Sequence, residues 1–218
     1  MSATDPARVP PGGKPRRGRP RAAATPERRR QIIAAATEAF AQQGFNGASF
    51  AAIAERVGMT LPGLLHYFPR KTDLLLAILD ERDRETVALI AAHTGGPQGG
   101  WAGMKRALHE LCRRNAEIPE IVQMFSALSA ESLGREHPAR GWFETRTREV
   151  NAGLAAMLEQ ARLNGEIRAD ADPGIIATEI AATMDGLQIA WLRMPDRVDL
   201  VRQFDLYLER LDGSIRAS

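Results

Sequence analysis

Residues 49–68 read Ser49-Phe50-Ala51-Ala52-Ile53-Ala54-Glu55-Arg56-Val57-Gly58-Met59-Thr60-Leu61-Pro62-Gly63-Leu64-Leu65-His66-Tyr67-Phe68. Phe50, Ile53, Ala54 and Val57 recur at i, i+3, i+4 and i+7, which is one face of a short helix. Ser49 stands just before that face, where a side-chain oxygen caps free backbone N–H groups. Gly58 follows it and can take the left-handed conformation that ends a helix. Thr60 then caps a second helix, and Pro62 fits its first turn because no N–H is needed there. Two short helices joined by a glycine-containing turn make a helix-turn-helix. Such a pair either packs as an ordinary hairpin inside a core or lays its second helix in the DNA major groove. Spacing alone leaves both open.

Upstream, Thr25-Pro26-Glu27 starts a helix with Ile33, Ala36 and Phe40 on its buried face. Gly44 is expected to end it, with Phe45 folded back over the end. Arg28, Arg29 and Arg30 occupy its opening turn, where the helix dipole prefers anions, so nearby phosphates would relieve them. Residues 1–24 are rich in Pro, Gly and Arg and too poor in apolar groups to fold alone. They read as a disordered basic arm. Within them Arg17-Gly18-Arg19-Pro20 resembles an AT-hook, which implies that Arg17 and Arg19 enter a minor groove; the alternative is an arm that only touches phosphates.

Charge follows the same division. Residues 1–30 hold nine Lys or Arg against Asp5 and Glu27, a net +7, whereas the whole chain is +2 and the remainder therefore −5. A basic end on an acidic body suits a polyanion held at one end only.

Downstream, Lys71 to His93 reads as one long helix. Gly95-Gly96-Pro97-Gln98-Gly99-Gly100 is the clearest break. After it come helices over 101–117, 118–133, 140–164, 173–194 and 199–211, with no strand pattern and no internal repeat. The expected fold is all-α: a three-helix region carrying the helix-turn-helix (25–70), one long helix (71–94), and a C-terminal helical domain (95–218).

With 44% hydrophobic and 26% charged residues among 218, the composition is that of a globular protein. Cys112 is the one cysteine, which fits a reducing cytoplasm. No apolar run is long enough to span a bilayer, and the N-terminus lacks the apolar core of a signal peptide. His66, His93, His109 and His137 show no metal-ligand spacing, and no nucleophile-elbow or phosphate-loop pattern occurs. The expectation is a non-enzyme with no cofactor and no metal.

The opening helix, the helix-turn-helix and the long helix after it resemble the TetR family of transcriptional regulators. The match is carried by Ile32 to Phe40, Gly44, Phe45, Ser49, Ile53, Ala54, Val57-Gly58-Met59-Thr60, Gly63 to Phe68, Lys71 and Leu74. The resemblance implies that residues 25–70 bind DNA and that the helix over 71–94 links them to the C-terminal domain. It implies a homodimer on a palindromic operator, released by a small-molecule effector held in the C-terminal domain. It also implies roles for residues. Ser49 and Thr60 would cap helices and face phosphates, and Leu61, Pro62, Gly63 and Leu64 would approach base edges. His66, Tyr67 and Lys71 would contact phosphates, with Arg28 beside them. Leu65 stands where many members have Tyr, and Arg70 replaces a frequent Ser cap, leaving the linking helix without its usual cap.

The two long C-terminal helices would form the subunit interface through Leu154, Met157, Leu158, Ile176, Ile180, Met184, Leu187 and Trp191. Trp101, Met104, Leu108, Cys112, Met124, Phe125, Leu128, Trp142 and Phe143 could line an apolar effector pocket or be plain core. Glu131 and Asp185 stand on otherwise apolar segments, either to orient an effector or to face solvent. The competing function is an architectural DNA-binding protein that uses the basic arm without an effector.

Overall fold

The computed structural model describes residues 25–95 and 99–217, so the arm with Arg17 and Arg19 lies outside the described residues. These residues form α1 (Pro26–Gly47), α2 (Phe50–Arg56), α3 (Leu61–Tyr67), α4 (Lys71–His93), α5 (Gly100–Ala116), α6 (Pro119–Glu131), α7 (Arg140–Leu163), α8 (Pro173–Arg193) and α9 (Leu200–Ile215). Among them there is no strand, only an isolated bridge between Ile167 and Arg216. None of these helices is long and apolar enough to cross a membrane.

Gly44 does not end α1 outright. It breaks the helix at φ 71°, ψ 165°, and one further turn runs to Gly47 before Ala48 N–H closes on the Gly44 carbonyl. Phe45 folds back edge-on to Phe40, ring centroids 5.5 Å apart. The start of α4 is also better closed than Arg70 suggests. Asp73, three residues in, accepts from the Arg70 backbone N–H at 3.1 Å, while its carboxylate takes the Arg70 guanidinium at 2.7 Å. A carboxylate in the first turn thus replaces the missing side-chain cap.

Two apolar cores hold the chain. The first joins Ile32, Ile33, Ala36 and Phe40 of α1 to Ile53 of α2, Leu64 of α3 and Leu74, Leu75, Ile78 and Leu79 of α4. It also takes Met124 and Leu128 from α6 and Phe143 from α7, so α6 and the start of α7 rest directly on the N-terminal helices. The second joins α5, α7, α8 and α9. Its anchor is α9, whose Leu200, Phe204, Leu208, Leu211 and Ile215 are all buried along one stripe.

Candidate nucleic-acid interface and internal cavity

Thr60 caps α3 by accepting from Gly63 N–H at 3.3 Å. Beyond the cap, α3 sends Leu64 inward, 0% exposed, with Phe68 following it into the first core. The opposite face carries Leu61 and Leu65, each 39% exposed, with Pro62 and His66 also exposed. Leu64, expected to approach base edges, is instead packed in the core and does not reach the exposed face of α3. Leu65 shares that face with Leu61, and its spacing of i+4 is the signal that could have found it. Gly63 is half-buried beside Met59 and Thr60. Ser49 occupies the cap position of α2 and is exposed, but its side chain makes no cap hydrogen bond.

The cations around this face are partly committed within the chain. Arg28 Nη1 donates to the Val57 carbonyl at 3.3 Å and to Gln31 at 2.8 Å, so it braces the turn between α2 and α3 from the carbonyl end of α2. Arg29 lies over the Phe68 ring, and Arg30 pairs with Glu27 at 2.6 Å. Lys71 donates to the Asn46 carbonyl at 3.2 Å above the Phe45 ring, and burial lowers its pKa. An ammonium has three donors, so two remain for a phosphate. Tyr67 is half-buried, edge-on to the exposed His66.

A cavity of about 490 Å³ lies between α4, α5, α6, α7 and α8. Of the nine residues expected to line an effector pocket, Leu108 and Phe125 reach it. The other seven do not. Trp101 is stapled down by its backbone N–H to Glu166 at 2.8 Å and its indole N–H to Asp212 at 2.6 Å. Met104 and Cys112 are buried in the second core, and Cys112 Sγ donates to the Leu200 carbonyl at 3.6 Å. Met124, Leu128 and Phe143 belong to the first core, and Trp142 donates its indole N–H to Asp80 at 2.6 Å. The reason is common to all seven: α9 covers one face of α5, and α1 and α4 cover one face of α6 and the start of α7.

The wall that does face the cavity mixes charge with hydrocarbon. Its α4 side carries Arg82, Asp83, Thr86, Val87 and Ile90, and its α7 side Arg146, Glu149, Val150, Leu154 and Met157. Asp83 and Arg146 pair across it at 3.0 Å. With Asp80–Trp142, about one turn away, that ion pair forms a polar strut between α4 and α7. Sequence reading missed these residues because charged positions carry no apolar periodicity to mark the face they occupy. Asp185 faces the cavity from α8, while Glu131 is exposed away from it. Surrounding protein raises the Asp185 pKa, an effect that nearby Arg146 opposes. A carboxyl with a raised folded-state pKa costs stability as pH rises through that range and nothing in acid below both values. Because Asp185 is exposed, solvent screens most of this cost. Asp185→Asn is thus expected to raise the melting temperature only slightly at about pH 7 and leave it unchanged at about pH 3, where the unfolded carboxyl is also protonated.

Most of the residues expected at a subunit interface lie in the chain's own core. Leu158 and Ile180 are at most 1% exposed, and Leu154, Ile176 and Met184 are buried with them in the chain's own second core. Met157, Leu187 and Trp191 pack against that core. The strongest apolar stripes of α7 and α8 are spent on α5 and α9. Their outward faces instead show Ala152, Ala156 and Leu163 on α7 and Ile175, Ala182, Gly186 and Ile189 on α8. Leu163 and Ile175 are each 67% exposed. Among the described residues, no group of three or more His, Cys, Asp or Glu is placed to hold a metal ion.

A family model described as bacterial regulatory proteins, tetR family, matches residues 32–78, and one described as BetI-type transcriptional repressor, C-terminal, matches residues 102–215. The chain is 27% identical over 190 residues to the HTH-type transcriptional regulator TtgR of Pseudomonas putida, covering 84% of this chain and 89% of that one. It is 27% identical over 194 residues to the HTH-type transcriptional repressor AcnR of Corynebacterium diphtheriae, covering 88% and 93%. Its fold matches SmeT, repressor of the Stenotrophomonas maltophilia multidrug efflux pump SmeDEF, with TM-score 0.73 at 20% identity over 87% of this chain and 91% of SmeT. It also matches a transcriptional regulator from Saccharomonospora viridis in complex with choline, with TM-score 0.73 at 20% identity over 89% and 100%.

Proposed function

The chain belongs to the TetR family of bacterial regulatory proteins, and from that premise we propose that it is a homodimeric repressor, bound to a palindromic operator and released when a small molecule enters the cavity. The observation that carries this reading is the double duty of α4. Its first half, through Leu74, Leu75, Ile78 and Leu79, lies in one core with α2 and α3. Its second half, through Arg82, Asp83, Thr86, Val87 and Ile90, is a cavity wall. A ligand that pushes on the second half or takes Arg146 from Asp83 moves the base of the recognition helices. That a protein of the same fold is found in complex with choline supports a small-molecule effector for this one.

In this reading α3 enters the major groove with Leu61, Pro62 and Leu65 against base edges, reading thymine methyls and DNA shape more than hydrogen-bond patterns. Thr60, Gly63, Ser49, His66, Tyr67 and Lys71 surround that contact on the phosphate side. The exposed faces of α7 and α8 pair two subunits, so that two recognition helices meet successive grooves about 34–36 Å apart.

The test is selection of a binding site from random DNA, followed by titration with candidate effectors. A palindrome whose affinity falls with effector, reciprocally with effector affinity, is the expected result. Loss of specific binding on deleting residues 1–24, with no effector response, would favour the architectural reading instead. The polar strut supplies a sharper check. Asp83→Asn is expected to reduce the coupling between effector and DNA by about threefold or more, within the usual range of coupling energies, with DNA affinity in the absence of effector nearly kept. Fluorescence anisotropy of labelled operator, with and without effector, measures both.

A further inference from the structure

Arg82 is a cation short of an anion. Its Nη2 donates to Asn115 Oδ1 at 3.1 Å, a neutral partner. The acids near it are committed elsewhere: Glu85 to Arg114 at 2.8 Å and Asp83 to Arg146 at 3.0 Å. Among the charges acting on it, Arg114 and Arg146 are matched by Glu85 and Asp83, which leaves Arg82 as the surplus guanidinium of that group. The cavity lining as a whole holds Arg82 and Arg146 with Asp83, Glu149 and Asp185. Burial, then repulsion from Arg146 and Arg114, brings its pKa down to about 10, which still leaves it charged at neutral pH. A guanidinium so placed is stabilised by gaining a carboxylate, whose geometry it matches.

The wall argues against the opposite charge. Quaternary ammonium groups are held by several aromatic faces together. Among the described residues, Phe125 is the one aromatic side chain facing the cavity, and Arg82 and Arg146 already lie against it at 5.3 and 4.9 Å from its centroid. Of the acids on the wall, Glu149 and Asp185 are exposed to solvent and Asp83 is paired with Arg146. Away from the arginines the wall has an apolar stretch from Val87, Ile90, Leu108, Leu111, Leu154 and Ile180, beside polar Asn151, Asp185 and Gln188.

We propose that the cavity takes a carboxylate-headed amphiphile, its head on Arg82 and Arg146 and its chain along the apolar wall between α4, α5, α7 and α8. This rests on reading the cavity as the effector site, but its test does not need DNA. Calorimetry on the full chain would compare decanoate, decyltrimethylammonium and decanol, each below its aggregation concentration. Decanoate is expected to bind at least about tenfold more tightly than either, the lower range for a charged hydrogen bond. Arg82→Gln is expected to weaken decanoate by about tenfold or more and leave decanol unchanged, with Arg82→Lys recovering part of the loss. Asp185→Asn, which keeps both arginines, is expected to hold or strengthen decanoate binding. Circular dichroism melts establish that each variant is folded. Equal binding of all three, preference for the ammonium, or no binding of decanoate would overturn the proposal. A chain that binds DNA but not decanoate loses this inference and keeps the regulator reading; the reverse result keeps the inference and removes the regulator.

Discussion

Gly186→Arg is expected to yield a protein that sediments as a single subunit and loses about a hundredfold or more of its affinity for a palindromic site, the lower range for removing a linked second contact. The argument separates the chain from the pair. Within one chain, a Cβ added at Gly186 meets nothing within 4 Å. Replacing a helix-interior glycine also raises helix propensity by up to about 1 kcal/mol, so the isolated subunit should fold at least as well as before. Across the proposed interface the same position must be close to its symmetry mate. Ala182, Gly186 and Ile189 lie along one exposed face of α8, where small residues permit close helix approach and a guanidinium would be buried without a partner. Analytical ultracentrifugation and a thermal melt together read the result. A Gly186→Arg protein that melts earlier and stays dimeric would place the interface elsewhere.

The second large effect is at the recognition helix. Leu61→Glu is expected to remove about a hundredfold or more of DNA affinity, since close like charges cost several kcal/mol at an interface, while leaving the protein as stable or slightly more so. Leu61 is the first residue of α3, 39% exposed and next to the Thr60 cap. A carboxylate in the first turn gains about 0.3–1 kcal/mol from the helix dipole, but in the proposed complex it would face phosphates and forfeit the apolar contact to a thymine methyl. Leu64→Ala supplies the contrast. Leu64 is fully buried, so its truncation should cost about 2–5 kcal/mol of stability and affect DNA through the fold. Operator anisotropy and urea unfolding distinguish the two. A stable Leu61→Glu protein with unchanged DNA affinity would show that α3 does not face the duplex.

The N-terminal third was legible because its signals are local. The Thr60 cap, the Pro62 first turn and the glycine at φ 65° in the turn lie within a few residues of what they determine. The cavity lining and the exposed faces of α7 and α8 were not legible, because both depend on which apolar face is already taken. Cys112 reads like pocket lining until α9 lies over it; Leu158 and Ile180 read like interface until α7 and α8 turn them inward. The charged stretch from Asp80 to Glu85 gives no signal of its partners until α7 brings Arg146 and Trp142 opposite Asp83 and Asp80. Periodicity shows that a stripe is buried and does not show against what.

The central claim is that two copies of α3 face outward at a separation that the cavity controls. Cys112 is fully buried, and burial pushes its thiol pKa up to about 12, so it will not take a label under native conditions. A single introduced cysteine, Leu65→Cys, therefore places one spin label on each exposed recognition helix. Pulsed electron resonance on the free protein is predicted to give a distance within several ångströms of one DNA turn, about 34–36 Å, that shifts when the cavity is filled with decanoate or another bound effector. No dipolar coupling, or a distance indifferent to a ligand bound in the cavity, would contradict it.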